Sequence, residues 1–141
     1  MNSEFHIAVH SLVFLAYLPS RMASSELLAS NICTNPVRIR KVMNLLKSAG
    51  LVDVQKGTGG GYILHGNPRQ ITLGSIYRLT SAGSLVSDWR SGDPTMDCIV
   101  ASQIGQVMSH IFEGAEEQFE RHLDQYTIQD LLNQMQMNKR K

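Results

Sequence analysis

Residues 34–52, TNPVRIRKVMNLLKSAGLV, carry the clearest signals of a helix and a following β-strand. Asn35 followed by Pro36 predicts a helix start, because an Asn side chain can cap backbone N–H groups and proline lacks only an N–H that the first helical position does not need. Gly50 suits the left-handed residue at which a helix ends. We therefore predict a helix from Pro36 to about Ala49, with a buried face formed by Ile39, Val42, Met43 and Leu46.

Two helices are predicted before this segment and a β-hairpin after it. Apolar residues at helical spacing over residues 3–18 indicate the first helix, and Ser24 or Ser25 can cap a short second one. Two β-like runs, residues 51–55 and 62–65, flank the glycine-rich tip KGTGGG. Three helices followed by such a hairpin predict a winged helix-turn-helix, mainly α with a small β-hairpin wing.

The third helix is then the element that reads DNA. A helix-turn-helix presents the N-terminal part of this helix to base edges in the major groove, and Arg38 matches guanine through a bidentate pair. The N–H groups at a helix start attract phosphate, which gives Thr34 and Asn35 a role, and the wing tip can follow the DNA backbone. The predicted DNA-contacting residues are Ser24, Thr34, Asn35, Val37, Arg38, Arg40, Lys41, Lys56, Thr58 and Gly59.

The charge distribution favours a nucleic-acid partner although the net charge is only +1. Residues 36–56 hold five basic side chains and one acid, whereas residues 99–141 hold six acids and four bases. No apolar run is long enough to span a bilayer, and no cleavage site follows the apolar segment at residues 5–18. We therefore expect a cytoplasmic protein without a membrane partner.

The C-terminal half predicts a loop and a long helix. Thr72 can cap a short helix, and the Ser-, Gly- and Asp-rich residues 81–97 form a loop long enough to be functional or mobile. A long helix follows from about Val100 to Gln125, and a capping box at residues 127–130 opens a last helix. The apolar stripe of the long helix consists of Ile104, Val107, Met108, Ile111, Phe112, Ala115, Phe119, Leu123 and Tyr126.

That stripe is better explained by a second copy of the chain than by its own domain. One helix with so wide an apolar face has too little of its own small domain to cover it. We therefore predict a winged helix-turn-helix domain at residues 1–80, a regulatory loop at residues 81–98, and a dimerisation helix with a C-terminal helix at residues 99–141.

Three segments resemble the Rrf2 family of bacterial winged-helix regulators, the IscR/NsrR/CymR-like group. Residues 34–52 resemble its recognition helix and following strand, GTGGGYIL at residues 57–64 its wing, and ITLGSIY at residues 71–77 the segment after the wing. The resemblance covers essentially the whole chain. It implies a homodimer that binds a palindromic operator in double-stranded DNA, with the long C-terminal helix forming the dimer.

One departure concerns cofactors. Cluster-binding members of the family carry three cysteines in and around the loop before the long helix, whereas residues 81–105 here hold only Cys98. Three thiolates are the usual minimum for such a site, and Asp97 or His110 does not replace two of them. We therefore predict no cofactor and no metal, and a closer similarity to cluster-free members, some of which sense oxidants through thiols.

The two cysteines, Cys33 and Cys98, leave two interpretations open. They are either small buried hydrophobic residues, the usual state of free cysteines, or a redox switch in which oxidation links Cys33 of one subunit to Cys98 of the other. In the second case a nearby helix N-terminus favours the reactive thiolate. The bond would shift the two reading helices relative to each other.

The remaining motifs indicate neither an enzyme nor a metal site. His6 and His10 have a spacing that can hold zinc but lack a third ligand, so we interpret them as an edge-of-core pair. The glycine run lacks the Gly-Lys-Ser/Thr ending of a phosphate loop, and no catalytic constellation is present. An interaction module that reuses the fold would not need the basic residues of the third helix.

The sequence therefore predicts a homodimeric, sequence-specific DNA-binding regulator, most simply a repressor, under redox control by Cys33 and Cys98. The alternative is the same fold controlled by a small ligand or a partner protein at the loop of residues 81–98, without thiol chemistry. Under either hypothesis two roles stay open for Trp89 of this loop, packing on the dimer helices or closing an effector pocket.

Overall fold

The elements follow the order of a winged helix-turn-helix with three further helices. The structure, a computed structural model, describes residues 3–139, so the last two residues of the predicted C-terminal unit lie outside it. The described helices are α1 (Ser3–Tyr17), α2 (Ser25–Ile32), α3 (Pro36–Ser48), α4 (Leu73–Thr80), α5 (Ile99–Leu123) and α6 (Ile128–Lys139), and the strands are β1 (Met22–Ala23), β2 (Val52–Gln55) and β3 (Gly61–Leu64). The predicted fold class is confirmed.

Side-chain caps fix where four of the helices begin. Asn35 Oδ1 accepts a hydrogen bond from the backbone N–H of the residue three positions on, at 3.0 Å, and Ser24 and Thr72 do the same at 3.1 Å. Thr127 and Asp130 cap each other's backbone N–H groups as a reciprocal capping box. These are the caps that the sequence predicts, with Ser24 rather than Ser25 at the start of α2.

The wing is a three-stranded antiparallel sheet, whereas the sequence predicted two strands. β3 lies between β2 and the short β1, where Met22 pairs with Ile63. A two-residue strand gives no periodic signal, which is why β1 was missed. Gly61 is required at this junction, because a Cβ on it would lie 2.5 Å from the carbonyl oxygen of Ala23.

One hydrophobic core joins both ends of the described chain. Leu12 of α1, Met43 of α3, Tyr77 of α4 and Ile128 of α6 are all fully buried in it. Because α6 packs against α1, the predicted division at residues 80 and 99 does not separate two cores. That division remains a prediction about function.

Helix α5 covers part of this core and leaves another face uncovered. Phe119 and Leu123 pack against the core, and Glu116 is the buried residue of the helix. The predicted apolar stripe therefore divides between two faces. The exposed apolar residues of α5 are Ile99, Val100, Val107, Met108, Ile111 and Phe112. In residues 3–139 no helix is both long enough and apolar enough to cross a membrane.

Candidate nucleic-acid interface

Helix α3 turns a polar and basic face away from the core. Its buried residues lie on one side, while Val37, Lys41 and Asn44 recur at spacings of four and three on the opposite, exposed side. Arg38 and Arg40 are exposed on the flanks of that face. This helix therefore presents to solvent the side chains that the sequence assigned to DNA. Asn44 lies on the same exposed face but is not among the predicted DNA-contacting residues. Its spacing of three positions from Lys41 could have identified it from the sequence.

The first residues of α1 hold two of these cations in place. The Arg38 guanidinium donates a hydrogen bond to Ser3 Oγ, and Lys41 Nζ lies 2.8 Å from Glu4 Oε1. The Lys41 side chain remains 70% exposed. Ion pairs this exposed are worth less than about 1 kcal/mol, so a phosphate or base can replace the partner at small cost.

Several predicted phosphate ligands already have partners within the protein. Asn35 Oδ1 and Ser24 Oγ accept capping hydrogen bonds, and the Thr34 N–H donates to Ala29 O at 3.0 Å. What these residues can still donate to a phosphate is the hydroxyl hydrogens of Ser24 and Thr34 and the side-chain amide of Asn35. In the structure Ser24 and Asn35 start α2 and α3, whereas the Thr34 N–H closes the end of α2.

The wing tip carries Lys56, Thr58 and Gly59 on its exposed surface. Gly59 has a positive φ of +78°, a conformation that glycine adopts without strain. The N–H of Gly60 donates to Gly57 O at 3.0 Å, so this amide is not free to contact DNA. The ammonium of Lys56 and the hydroxyl of Thr58 are side-chain groups that this tip offers to DNA.

The two cysteines are exposed, so the interpretation of both as buried hydrophobic residues is wrong for the single chain. Cys98 is the N-cap residue of α5, and the N–H groups of Ala101 and Val100 lower the pKa of its thiol. Cys33 instead ends α2 with φ +66°, and its Sγ faces Ser30 O at 3.8 Å. Only Cys98 therefore has the helix N-terminus that was expected beside both sulfurs.

The predicted histidine pair lies at the protein surface. His6 packs edge-on against Phe5, and His10 Nε2 lies 2.7 Å from Asn31 Oδ1. In the part of the chain that the structure describes, no three His, Cys, Asp or Glu side chains converge as a metal site would require.

The model of the Rrf2 family, described as an iron-dependent transcriptional regulator, matches residues 1–134. The chain belongs to the Rrf2 family. Members of this family are transcriptional regulators that bind DNA through a winged helix, and they are not enzymes. Helix α3 and the β2–β3 wing of this Rrf2 protein are the corresponding elements.

Individual relatives agree with this assignment. The chain is 27% identical over 135 residues to YwnA of Bacillus subtilis, named as a candidate HTH-type transcriptional regulator, and covers 98% of it. A crystal structure named as a candidate regulator from Lactobacillus plantarum superposes with a TM-score of 0.84 at 29% identity, covering 96% of this chain and 91% of that one. IscR of T. potens gives 0.70 at 26% identity, with 96% and 87% covered.

The family's description raises the question of iron. This Rrf2 protein supplies two cysteines in all, and Cys98 is the one in the region before and within the first turns of α5. A cluster needs three or four thiolates, or histidines in their place, and no such set converges in residues 3–139. The residues present in one copy do not fit an iron–sulfur cluster.

Proposed function

We propose that this Rrf2 protein is a homodimeric repressor that acts in the bacterial cytoplasm and binds a palindromic operator through α3 and the wing. The observation that carries the proposal is the exposed face of α3, with Val37, Lys41 and Asn44 directed away from the core and two arginines on its flanks. Arginine and asparagine are the side chains suited to guanine and adenine edges in the major groove.

The exposed face of α5 supports a homodimer. Ile99 is 70% exposed, Ile111 58% and Val107 51% in the single chain. Soluble proteins rarely leave so large a contiguous apolar surface in water, and a second copy of the same helix covers it with two-fold symmetry. Two-fold symmetry places two copies of α3 on two half-sites, which is the geometry of a palindrome.

Redox control through Cys33 and Cys98 is the regulatory part of the proposal. The exposed Cys98 thiolate attacks a peroxide, which gives a sulfenic acid and releases the peroxide's second oxygen as water or an alcohol. Cys33 of the partner subunit then attacks that sulfur, forms the disulfide and releases water. One peroxide is reduced by two electrons, and the two thiols supply them.

Selection of bound DNA from a random pool, with and without dithiothreitol, tests the proposal. We expect a palindromic consensus under reducing conditions and loss of that selection after mild peroxide treatment. A Cys33→Ser variant is the control, and it should select the same sequence under both conditions. Recovery of no consensus contradicts DNA recognition, whereas a consensus that ignores oxidation contradicts only the thiol switch.

A cavity beside the loop of residues 81–98 favours ligand control as the second candidate.

A further inference from the structure

A cavity of about 230 Å³ lies between the loop of residues 81–98 and α5, and it is partly open to solvent. We propose that it is an effector site for a small organic anion with an apolar body, of the size of an aryl carboxylate. The volume lies below that of pockets that enclose drug-sized ligands, which are about 300 Å³ or larger. This inference names the regulation of the proposed repressor and therefore rests on the proposed function.

The walls of the cavity are predominantly apolar. Trp89 of the loop and Met108 and Phe112 of α5 line it, and the tryptophan is still 76% exposed and Phe112 42% exposed. Val86 and Ile104 complete the apolar lining. A flat apolar ligand would remove these side chains from water, and burial of an indole is among the largest gains that one residue offers.

One cation lines the same cavity. Arg90 follows Trp89 directly, and within residues 3–139 its guanidinium has no carboxylate within salt-bridge distance. A guanidinium binds a carboxylate through two parallel hydrogen bonds, and such a pair strengthens where apolar walls exclude water. The hydroxyls of Ser91 and Ser109 also line the cavity and can donate to the same anion. An anionic head group on an apolar body therefore matches the lining.

Glu113 is an acidic residue close enough to Arg90 to line the same cleft. It lines a polar cleft with Arg90, Gln106, Ser109 and His110, immediately beside the apolar cavity. Because the side chains are too far apart for an ion pair in this structure, Arg90 remains available to a ligand. Removal of the Glu113 charge should leave that interaction at least as strong.

Two glycines hold this part of the loop against α5. A Cβ on Gly92 would lie 2.1 Å from Ala101 O, and one on Gly105 would lie 3.2 Å from both Arg90 Cβ and Ser91 O. The N–H of Asp93 also donates to Ala101 O at 2.9 Å. Close backbone contact therefore fixes Arg90 beside the helix, so the site exists before a ligand enters.

Met108 and Phe112 belong both to the cavity wall and to the exposed apolar surface of α5, so a bound ligand reaches the proposed dimer interface.

Fluorescence of Trp89, the single tryptophan of the chain, reports occupation of the site without DNA. We would titrate the full-length reduced protein with sodium phenylacetate and, separately, with the neutral phenylacetamide. The expected result is a saturable change with phenylacetate and binding at least about tenfold weaker for the amide, as loss of a charge-assisted pair implies. Arg90→Gln should weaken phenylacetate binding by a similar factor, whereas Glu113→Gln should not weaken it.

Arg121→Gln is the matched control, since it removes the same charge from an exposed position near the end of α5. It should bind phenylacetate like the unaltered protein, and circular dichroism verifies that every variant is folded. The inference is overturned by a linear, non-saturating fluorescence change, by equal binding of acid and amide, or by equal effects of Arg90→Gln and Arg121→Gln. Because no DNA is present, operator binding with no phenylacetate site would refute this inference alone.

Discussion

Tyr77 Oη donates a 2.6 Å hydrogen bond to Glu116 Oε1, and this bond joins α4 to the middle of α5 inside the protein. Tyr77 is fully buried, and Glu116 is 9% exposed. The same carboxylate accepts hydrogen bonds from the N–H groups of Gly83 at 2.8 Å and Leu85 at 3.2 Å. One buried carboxylate thus fastens the start of the loop of residues 81–98 to both helices.

Substitution Glu116→Gln should destabilise the fold and release this part of the loop. A glutamine places N–H donors where one carboxylate oxygen accepted, so a buried donor loses its partner at a cost of about 1–3 kcal/mol. Urea unfolding measures the free energy, and hydrogen exchange at Gly83 and Leu85 should accelerate. Glu117→Gln, at the exposed neighbouring position, should change neither quantity. Equal effects of the two substitutions would contradict the assigned role of Glu116.

The Tyr77 phenol predicts a loss of stability at alkaline pH. Burial, followed by the hydrogen bond to Glu116, raises the Tyr77 pKa above its usual 10.0. The folded state therefore holds the phenol proton more tightly than the unfolded state. The contribution of Tyr77 to the free energy of unfolding is complete below pH 10.0 and is lost as the pH rises through the folded pKa. Urea unfolding from pH 9 to 11 (about one unit either side of the usual tyrosine pKa) measures it. A Tyr77→Phe variant should lack this component, and an identical alkaline slope in both proteins would contradict it.

Substitutions should distinguish base-specific from sequence-independent contacts with DNA. Arg38→Ala should reduce discrimination at one base pair by about 1–3 kcal/mol, whereas Lys56→Ala should weaken binding to all sequences alike. Binding titrations against the selected operator and its single-base variants measure both effects. Lys47→Ala removes an equal charge from the exposed end of α3 and is the control. If Arg38→Ala and Lys56→Ala both leave binding unchanged, the contact assignment is wrong.

The apolar surface of α5 predicts that one charge disrupts the dimer. Ile111→Glu places a carboxylate among the exposed apolar residues and should yield monomers at concentrations where the unaltered protein is dimeric. Sedimentation velocity distinguishes the two states. Gln106→Glu adds the same charge to an exposed site on the polar side of the helix and should remain dimeric. A dimer that survives Ile111→Glu would place the interface elsewhere.

The thiol of Cys98 should react at lower pH than an ordinary free thiol. The N–H groups of Ala101 and Val100 stabilise its thiolate, so the pH midpoint for alkylation should fall below 9.0. Alkylation by iodoacetamide in a Cys33→Ser variant isolates this group. A midpoint at or above that of a free thiol would contradict the environment described for Cys98 and remove the chemical basis of the proposed switch.

Local patterns predicted the local parts of this molecule. Asn35 and Thr72 could be predicted as helix starts, because a cap depends on residues only three positions apart. Gly50, with a positive φ of +77°, could be predicted as the end of α3 in the same way. Features that depend on contacts between distant segments were missed. Glu116 has no local sequence signal of burial, because its burial depends on contacts with Tyr77 and with the loop.

In the candidate site, too, local sequence predicts some features, and contacts between distant segments determine the others. The helical spacing of α3 identifies its exposed face, but the contacts of Arg38 with Ser3 and of Lys41 with Glu4 join residues more than thirty positions apart. The cavity around Trp89 likewise depends on how the loop lies along α5, which Gly92 and Gly105 permit but do not signal by spacing.

The distance between the two copies of α3 shows whether the dimer presents both helices to one face of the duplex. Spin labels at Lys47→Cys, in a Cys33→Ser/Cys98→Ser background, allow that distance to be measured by pulsed dipolar spectroscopy with the selected operator bound. We expect one narrow distribution centred on the order of 34 Å, the separation of half-sites one helical turn apart, or on a further multiple of that turn. Absence of dipolar coupling, or a distance incompatible with successive turns of the duplex, would contradict it.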